Sequence, residues 1–442
     1  MKLPMPPPDP DQLMAQVLQA KRLPEILGRA IPATSAYLPW DKMRFKTPPD
    51  GLSLEEWWLV TRMERRWSQR SIEGLRAKDD SPFSYTLPDE VLRAVDQINR
   101  DASGQIVISE QVTSPGTRDR YLVSSLIEEA IRSSQLEGAS TTRRDAKEML
   151  RTGRSPRDNS ERMIVNNYRA MQQVIDLKNE QLTPALVLEL HRIVTDGTLE
   201  DPSQAGRLQN DDACRVRVYG RDQQLLHQPP PVVELPGRLE ALCDYANGQG
   251  KEYIPPVLRA ITLHFVAGYD HYFVDGNGRT ARALFYWSML AEGYWLTEFL
   301  AISRILRAAP SKYARSFLDT EQDEGDLTHF FIYHLGVIQR AIRDLHAYLA
   351  RKADDLRQAE AEIRALPGEF NHRQLAVVRS AVSEPDQFIT AKSHAHSHRV
   401  SGQTARQDLI GLESEGYLER HKVGKAFVWR PASDLASRLH TS

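Results

Sequence analysis

The sequence has few cysteines, almost no net charge and no long apolar run. Its two cysteines, Cys214 and Cys243, form no close metal-ligand or redox pair, so we predict reduced thiols rather than a disulfide framework. The 57 Lys and Arg residues nearly balance the 59 Asp and Glu residues, and the net charge of −2 excludes a global field that attracts DNA or membrane. No segment approaches the roughly 18 apolar residues of a membrane span. The start "MKLPMPPPDPDQ" has prolines where a signal peptide needs an apolar run. These absences predict a cytoplasmic protein with no membrane partner.

The patterning along the chain predicts a mainly α fold with a small α+β domain near the C-terminal end. We predict a helical N-terminal region over 1–110, whose Pro-rich start is disordered, and a central helical domain over 111–350. A helical linker over 351–367 and the small domain over 368–432 follow. One segment departs from the helical pattern. The alternation in "RVRVYGRDQQLLHQPPP", with its polar turn and closing prolines, predicts a β-hairpin over 215–228.

The run "HYFVDGNGRTARALFYW" (271–287) combines an imidazole, a carboxylate, a Gly-Asn-Gly turn and two arginines. Helical patterns on both sides place Gly276, Asn277 and Gly278 at a helix N-terminus, where free N–H groups and the helix dipole favour an anion. Arg279 and Arg282 project from neighbouring positions of the first turns. Two permanent cations beside a positive helix end need a multiply charged anion, and a polyphosphate meets that need.

Two further residues complete the predicted site. Asp275 suits Mg²⁺, which prefers one or two carboxylates together with phosphate oxygens. His271 supplies a base near neutral pH, so the set predicts phosphoryl or nucleotidyl transfer. The run is neither a Walker A loop, because no Gly-Lys-Ser/Thr follows, nor a dinucleotide fingerprint, because a helix precedes it. Taken one at a time, these residues have a simpler interpretation. The glycines and Asn277 would form an ordinary helix cap, the two arginines would be solvated, and His271 would be an ordinary polar residue.

The twelve residues from His271 to Arg282 resemble the Fic motif, His-x-Phe-x-Asp/Glu-Gly-Asn-Gly-Arg-x-x-Arg, at every constrained position. Tyr272 replaces the proline commonly found after the histidine, a change that touches no catalytic role. The resemblance implies a mostly helical core that transfers AMP from ATP to a Ser, Thr or Tyr hydroxyl of a target protein and releases pyrophosphate.

The resemblance also implies a role for each matching residue. His271 would be the general base, and the hairpin over 215–228 would be the flap that clamps a target segment by strand pairing. The remaining roles are Mg²⁺ binding by Asp275, phosphate binding by Gly276, Asn277 and Gly278, and contact with the β and γ phosphates by Arg279 and Arg282.

A second motif lies upstream. The apolar stripe in "SSLIEEAIRSSQLEGAS" predicts a helix near 121–138, with Gly138 as its stop. Glu137 then lies at a helix C-terminus, where the dipole disfavours a negative charge by about 0.3–1 kcal/mol, and Arg282 is the expected cationic partner. "SSQLEG", which begins at Ser133, resembles the Fic inhibitory motif, Ser/Thr-x-x-x-Glu-Gly/Asn. The resemblance implies that Glu137 pairs with Arg282 and blocks productive binding of the γ-phosphate. The alternative is a solvated glutamate at a helix end.

The C-terminal segment predicts three helices followed by a hairpin, a pattern that resembles winged-helix modules. Between residues 369 and 430 there are nine Lys and Arg against seven Asp and Glu, which is only mildly basic. A wing that docks on protein is therefore the alternative to DNA binding. The "HAHSH" run suits a polar surface better than a metal site. The candidate DNA-binding residues are Gln403, Thr404, Arg406 and Gln407 on the third helix and Lys425 in the wing.

The sequence therefore predicts a self-inhibited adenylyltransferase of the Fic type that uses ATP and Mg²⁺. One alternative is the reverse reaction, removal of AMP from a target with the help of Glu137. Another is a DNA-binding regulator whose Fic core only senses nucleotide.

Overall fold

The computed structural model describes residues 3–28, 36–103, 115–220, 222–250, 252–365, 370–383, 388–398, 400–423, 426–432 and 435. Two compact units divide the chain, one made of residues before 346 and one of residues from 346 onwards. Within the described ranges, no helix combines the length and apolar character that crossing a membrane requires.

The N-terminal part of the first unit is helical with one hairpin. Ser53 caps the helix α4 (Leu54–Ser68) in a capping box, because its Oγ accepts from the N–H of Glu56 and the Glu56 carboxylate accepts from the N–H of Ser53. The elements are α1 (Pro10–Gln19), α2 (Leu23–Leu27), α3 (Trp40–Met43), α4 (Leu54–Ser68), β1 (Arg70–Arg76), β2 (Pro82–Tyr85) and α5 (Asp89–Ser103).

Two features of this part differ from the sequence-based expectation. The Pro-rich start, expected to be disordered, contacts the helical body: the carbonyl of Pro4 accepts from Gln322, and the N–H of Met5 donates to Asp41. The hairpin β1–β2 was not anticipated. Its strands bury Ile72 and Phe83, and the turn between them forms where Asp80 adopts a φ of 68°.

The central helices surround α11 (Pro256–Asp270) and α12 (Asn277–Ala291), which are buried on nearly every side. Because both helices are packed against other elements around most of their circumference, the short loop that joins them lies on a rigid support. The elements are α6 (Pro115–Leu136), α7 (Arg143–Thr152), α8 (Asn159–Asp176), α9 (Pro184–Thr195), β3 (Val218–Tyr219), β4 (Leu225–His227), α10 (Leu235–Ala246), α11 (Pro256–Asp270), α12 (Asn277–Ala291), α13 (Ile302–Ala308), α14 (Pro310–Gln322) and α15 (Thr328–Ala365).

The hairpin predicted over 215–228 is present but short. Its strands β3 and β4 pair antiparallel, with Val218 opposite His227 and Tyr219 opposite Leu225. Arg215 lies outside the pairing, because its buried side chain is turned towards the end of α11.

The helix α15 spans 38 residues and continues through the segment predicted as a separate helical linker, 351–367, as far as Ala365. The division between the two units falls within it, at residues 345 and 346, and not near residue 350.

The second unit has its own apolar core, to which Val378, Leu409, Leu412 and Trp429 contribute. Its elements beyond α15 are α16 (His372–Ser383), α17 (Ala391–His398), α18 (Gly402–Ser414), β5 (Leu418–Val423) and β6 (Ala426–Pro431). These are three helices followed by an antiparallel hairpin, and their interpretation as a winged helix remains a prediction.

A buried carboxylate joins the helices of this unit. Asp408 accepts hydrogen bonds from Asn371 and Arg373 and contacts the ring of His394. Burial alone would raise the pKa of Asp408, but these partners lower it to about 2. His394, expected on a polar surface, is therefore buried as part of this network, whereas His396 is exposed.

Candidate active site

The motif loop joins two buried helices through two residues of positive φ. His271, which follows α11, has φ 49° and ψ 56°, and Gly276, which precedes α12, has φ 81°. A non-glycine residue in this left-handed region is held there only when its surroundings determine its conformation. The loop that carries the predicted base is thus shaped by external contacts.

Those contacts are hydrogen bonds to the last carbonyl groups of α11, which have no partner inside the helix, and to the carbonyl groups of the loop that follows it. Six consecutive carbonyls, from residue 268 to residue 273, each accept at least one hydrogen bond. The donors are the His271 ring to Gly268 (2.7 Å), the His227 ring to Tyr269 (2.7 Å), Arg215 to Asp270 and to His271 (both 2.6 Å), Gln209 to His271, Tyr272 and Phe273 (2.8–2.9 Å) and Asn277 to Phe273 (2.7 Å).

Gln209 and Arg215, which supply five of these eight bonds, were not identified from the sequence. Both are buried and lie just before the strand β3. The only signal in the sequence is their position next to the predicted hairpin, which does not indicate where either side chain points.

The imidazole of His271 is oriented by its own turn. Its Nδ1 lies 2.7 Å from the Gly268 carbonyl, which can only accept, so Nδ1 carries the proton and Nε2 carries a lone pair. Burial lowers the pKa of His271 to about 4, so the ring is neutral at pH 7. The structure therefore presents His271 as a base with its free nitrogen available.

Asn277 closes the loop on itself. Its side-chain oxygen accepts from the N–H of Phe273 (2.9 Å), and its amide donates to the Phe273 carbonyl (2.7 Å). His191 of α9 stacks on the Phe273 ring at 3.7 Å and donates from Nε2 to the Asp275 carbonyl (2.9 Å). The Asn277 side chain is thus occupied within the loop, so the phosphate contact that the family resemblance implies would fall to its main-chain groups.

Arg279 lies beneath the loop and not beside the cavity. Its buried guanidinium donates to the Val194 carbonyl (2.8 Å) and to Asp275 Oδ2 (3.2 Å). Burial lowers the pKa of Arg279. In this conformation Arg279 ties α12 to α9, and it does not line the cavity at which a direct phosphate contact was expected.

Arg282 contacts Glu137, the partner that the sequence predicts, and also Ser133, which was not predicted as its partner. Its Nη2 lies 2.8 Å from Glu137 Oε1, and its Nε and Nη2 donate to the hydroxyl and the carbonyl of Ser133 at 2.8 and 3.1 Å. Burial alone would raise the pKa of Glu137, but Arg282 holds that pKa below its usual value. The ion pair therefore exists at neutral pH and is lost only as the pH falls through this lowered value.

Glu137 also occupies the space in front of the first turn of α12. A Cβ atom built on Gly278 would overlap Glu137 Oε1, which shows how closely the carboxylate approaches the backbone. Glu137 follows the last residue of α6, Leu136, and Gly138 continues the chain with φ 96°. A carboxylate thus stands where a helix N-terminus binds anions.

These groups open on one cavity of about 340 Å³. Its walls come from the hairpin β3–β4, the motif loop, the first turn of α12, Glu137 and the helix α14. The lining residues central to the site are Glu137, His271, Asp275, Gly278, Arg282 and Tyr313, with Val218 and Leu226 from the hairpin.

Asp275 is the candidate metal ligand at this cavity. Its side chain is 55 % exposed, and its oxygens accept from the N–H of Gly276 (2.6 Å) and from Arg279. A carboxylate has about four lone-pair positions, so Asp275 keeps acceptor capacity towards the cavity. Among the described residues, the cluster with three metal-ligand side chains is elsewhere, at Asp323, Asp326 and His329. One carboxylate fits Mg²⁺ that is bound mainly through phosphate and water.

The candidate DNA-binding residues lie in the second unit. Gln403, Arg406 and Gln407 are exposed on α18. The Thr404 hydroxyl lies 2.9 Å from the hydroxyl of Ser401, which caps the helix, so Thr404 takes part in the cap. Lys425 lies outside the described residues.

Comparison with known proteins agrees with the predicted family resemblance. Residues 181–289 match the Fic/DOC family, so the chain contains a Fic/DOC domain. It is similar to a protein adenylyltransferase Fic of Nematostella vectensis, with 31 % identity over 117 residues, and to the protein adenylyltransferase fic-1 of Caenorhabditis elegans, with 31 % identity over 122 residues. The aligned parts are 26 and 27 % of this chain and 25 and 22 % of those proteins, so the chain spans about a quarter of their length.

A solved structure of a Fic family protein from Desulfovibrio desulfuricans superposes with a TM-score of 0.52 at 19 % identity. It covers 79 % of this chain and 98 % of its own chain. This likeness shows the fold, and the mainly α class predicted from the sequence is confirmed.

The close packing of the loop makes a first prediction. Gly276→Ala should lower the melting temperature for two reasons. The alanine must adopt φ 81°, and its Cβ would lie 2.7 Å from Thr195 Cγ2. We expect a loss of about 2–4 kcal/mol in the free energy of unfolding, measured by thermal denaturation. Gly293→Ala is the matched control, because Gly293 has the same φ and no described atom within 4 Å of an added Cβ. Equal losses in the two variants would show that contact with α9 does not constrain the loop.

Proposed function

We propose that this protein is a protein adenylyltransferase that moves AMP from ATP to a Ser, Thr or Tyr hydroxyl of a target protein, and that Glu137 inhibits it. The observation that carries the proposal is the convergence on one cavity of the His271 lone pair, the Asp275 carboxylate, the N-terminal turn of α12 and the Arg282 guanidinium. A base, a metal ligand and two phosphate-binding elements are the parts that nucleotidyl transfer needs.

In the proposed reaction, His271 Nε2 accepts the proton of the target hydroxyl. The hydroxyl oxygen forms a bond with the α-phosphorus of ATP, the bond between that phosphorus and the bridging oxygen of pyrophosphate breaks, and pyrophosphate leaves. Because Nδ1 donates to the Gly268 carbonyl, the ring keeps its orientation while Nε2 gains the proton. Mg²⁺ held by Asp275 would neutralise charge on the phosphates.

The phosphates would lie over the first turn of α12. Arg282 Nη1 is buried and has no hydrogen-bond partner among the described residues, so it could donate to a phosphate oxygen. A Cβ on Gly278 would lie 3.0 Å from this nitrogen, so Nη1 faces the same turn.

Glu137 would act as the inhibitor by occupying this phosphate position. Its carboxylate contacts Arg282 and approaches Gly278, so ATP can bind there fully only after Glu137 moves aside. We therefore expect weak labelling of the wild type by ATP, because Glu137 and the phosphate compete for one guanidinium.

Two other functions make different forecasts. If the protein removes AMP with the help of Glu137, an AMP-modified target should lose AMP more slowly with Glu137→Ala than with the wild type. If the core only senses nucleotide, labelled ATP should bind without turnover in every variant.

The second unit supports DNA binding as a further candidate function. The helix α18 buries Ala405, Leu409 and Leu412 and exposes Gln403, Arg406 and Gln407 on its opposite side. Polar and basic residues on one exposed helix face are the groups that contact phosphates and base edges.

We expect His271→Ala to reduce AMP transfer by about 100- to 10,000-fold while ATP binding is retained, because the imidazole acts on the incoming hydroxyl. The loss should be measured with labelled ATP in the Glu137→Gly background, and ATP binding by calorimetry. His396→Ala, which changes an exposed histidine of α17, is the control. Near-normal transfer by the His271 variant would remove it as the base.

The pKa of about 4 for His271 adds a pH test to this prediction. Since the neutral ring is the active form, the rate should stay level as the pH falls to about 5 and should decline only near 4. An acid limb near the ordinary histidine value of about 6.5 would contradict the buried environment described above.

Glu137→Gly should raise self-modification by at least about tenfold, which needs only about 1.4 kcal/mol of barrier change. Arg282→Ala should not mimic this release, because it removes the phosphate ligand together with the partner of Glu137. The double variant should stay poor, so the two effects should be strongly non-additive. Mass spectrometry after incubation with ATP and Mg²⁺ measures the added AMP.

Glu415→Gly is the matched control for this substitution, since Glu415 also follows the last residue of a helix, α18, and is exposed. Equal labelling of the wild type and Glu137→Gly on every acceptor tested would end the proposal of self-inhibition and leave the transferase proposal standing.

The full chain should shift duplex DNA in a gel at low salt, with an affinity that falls as salt rises. Arg406→Ala should weaken the shift, whereas Arg93→Ala, which removes an exposed arginine from α5, should not. If the DNA migrates identically with and without the protein at low salt, this result would favour a protein-docking role for the second unit.

A further inference from the structure

His227, the last residue of β4, is the point at which the hairpin β3–β4 is tied to two helices. Its ring is 7 % exposed and lines the cavity. Its Nε2 lies 2.7 Å from the Tyr269 carbonyl at the end of α11, and its Nδ1 lies 2.8 Å from Glu321 Oε2 of α14. Both ring nitrogens therefore face oxygen atoms.

These contacts fix the number of protons on the pair. The Tyr269 carbonyl can only accept, so Nε2 carries a proton. An unprotonated Nδ1 would then place its lone pair against the Glu321 carboxylate, an arrangement that repels at 2.8 Å. The observed contact requires one further proton between the imidazole and the carboxylate.

The surrounding charges favour the imidazole as the site of that proton. The Glu321 side chain is 19 % exposed, so its charge keeps contact with solvent. Asp270 adds a second carboxyl group near the ring, with its pKa raised by burial to about 6. His271, at 6.4 Å between ring centroids, is neutral and does not oppose a charge on His227. The other groups on this side are the Tyr269 phenol, whose ring lies 4.6 Å away, and Arg215, which donates to the neighbouring carbonyls.

We infer that His227 is a positioning residue that holds the hairpin β3–β4 in place as an imidazolium paired with Glu321. Without this proton, Nδ1 and the carboxylate would repel each other, and the hairpin would lose its tie to α14. The hairpin forms one wall of the cavity, so a target segment that docks along it binds best while the proton is present. The assignment of the hairpin to target docking rests on the proposed function, whereas the charge of His227 does not.

The charge can be measured without any activity. In the full chain labelled with ¹⁵N-histidine, nitrogen–proton correlation spectra at about pH 7 should show protons on both ring nitrogens of His227, and His227→Gln identifies its signal. His191 is the internal control. Its Nδ1 accepts from the N–H of Gly206 (2.9 Å) and its Nε2 donates to the Asp275 carbonyl, so it should show a single proton.

Glu321→Gln separates the proton from the rest of the contact. A glutamine amide can donate to an unprotonated Nδ1, so this variant should show a singly protonated His227 at about pH 7. A singly protonated His227 in the wild type, unchanged by Glu321→Gln, would overturn the inference even if the protein proves to be an adenylyltransferase.

The kinetic consequence is a KM effect. In the Glu137→Gly background, adding His227→Gln should raise the KM for the acceptor protein by about tenfold or more, with a smaller change in the KM for ATP. Adding Glu321→Gln should change the acceptor KM less, because the glutamine amide can still donate to Nδ1. An acceptor KM that His227→Gln leaves unchanged would overturn the positioning role. Absence of AMP transfer in every variant would instead contradict the proposed function and leave the spectroscopic result to decide the charge.

Discussion

The site depends on one requirement, which is that the carbonyl groups at the C-terminal end of α11 and in the loop after it find donors. A helix that ends inside a protein leaves its last carbonyls unpaired, and each unpaired buried group costs about 1–3 kcal/mol. Here Gln209 and Arg215 supply most of the donors from the segment before β3, and His227 supplies another from the end of β4. The same bonds hold His271 in a left-handed conformation that it would not keep alone. The orientation of the base is therefore a product of helix termination.

The N-terminal end of α12 has the opposite requirement. Its free N–H groups and the buried Arg282 make a strongly positive turn, which an anion must neutralise. In this structure the anion is the Glu137 carboxylate, delivered from the end of α6. Under the proposed function the same position is needed by phosphate. Inhibition then follows from substitution of one anion for another and needs no distortion of the loop.

The sequence predicted the helical class, the motif loop and the contact between Glu137 and Arg282, because these depend on local pattern and on a charge that needed a partner. It did not predict that Arg279 is buried against Val194, because spacing along a helix places an arginine on a face without saying what covers that face. It also missed Gln209 and Arg215, whose roles exist only in three dimensions. The hairpin β1–β2 was missed because its alternation is short and its turn lacks glycine or proline.

The hydrogen bonds between Ser133 and Arg282 affect how fast Glu137 can move away from Arg282. Ser133 accepts two hydrogen bonds from this guanidinium, one at its hydroxyl and one at its carbonyl, independently of Glu137. If Glu137 leaves, Arg282 is still fixed and pre-organised for its next partner. Activation would then require rotation about the bonds of a single side chain that is 28 % exposed, without melting of α6. Rotamer changes of exposed side chains take picoseconds to nanoseconds, whereas local unfolding takes microseconds or longer. The step that admits the nucleotide would therefore be far faster than typical turnover, and its control would lie in the population of the open rotamer and not in the rate of reaching it.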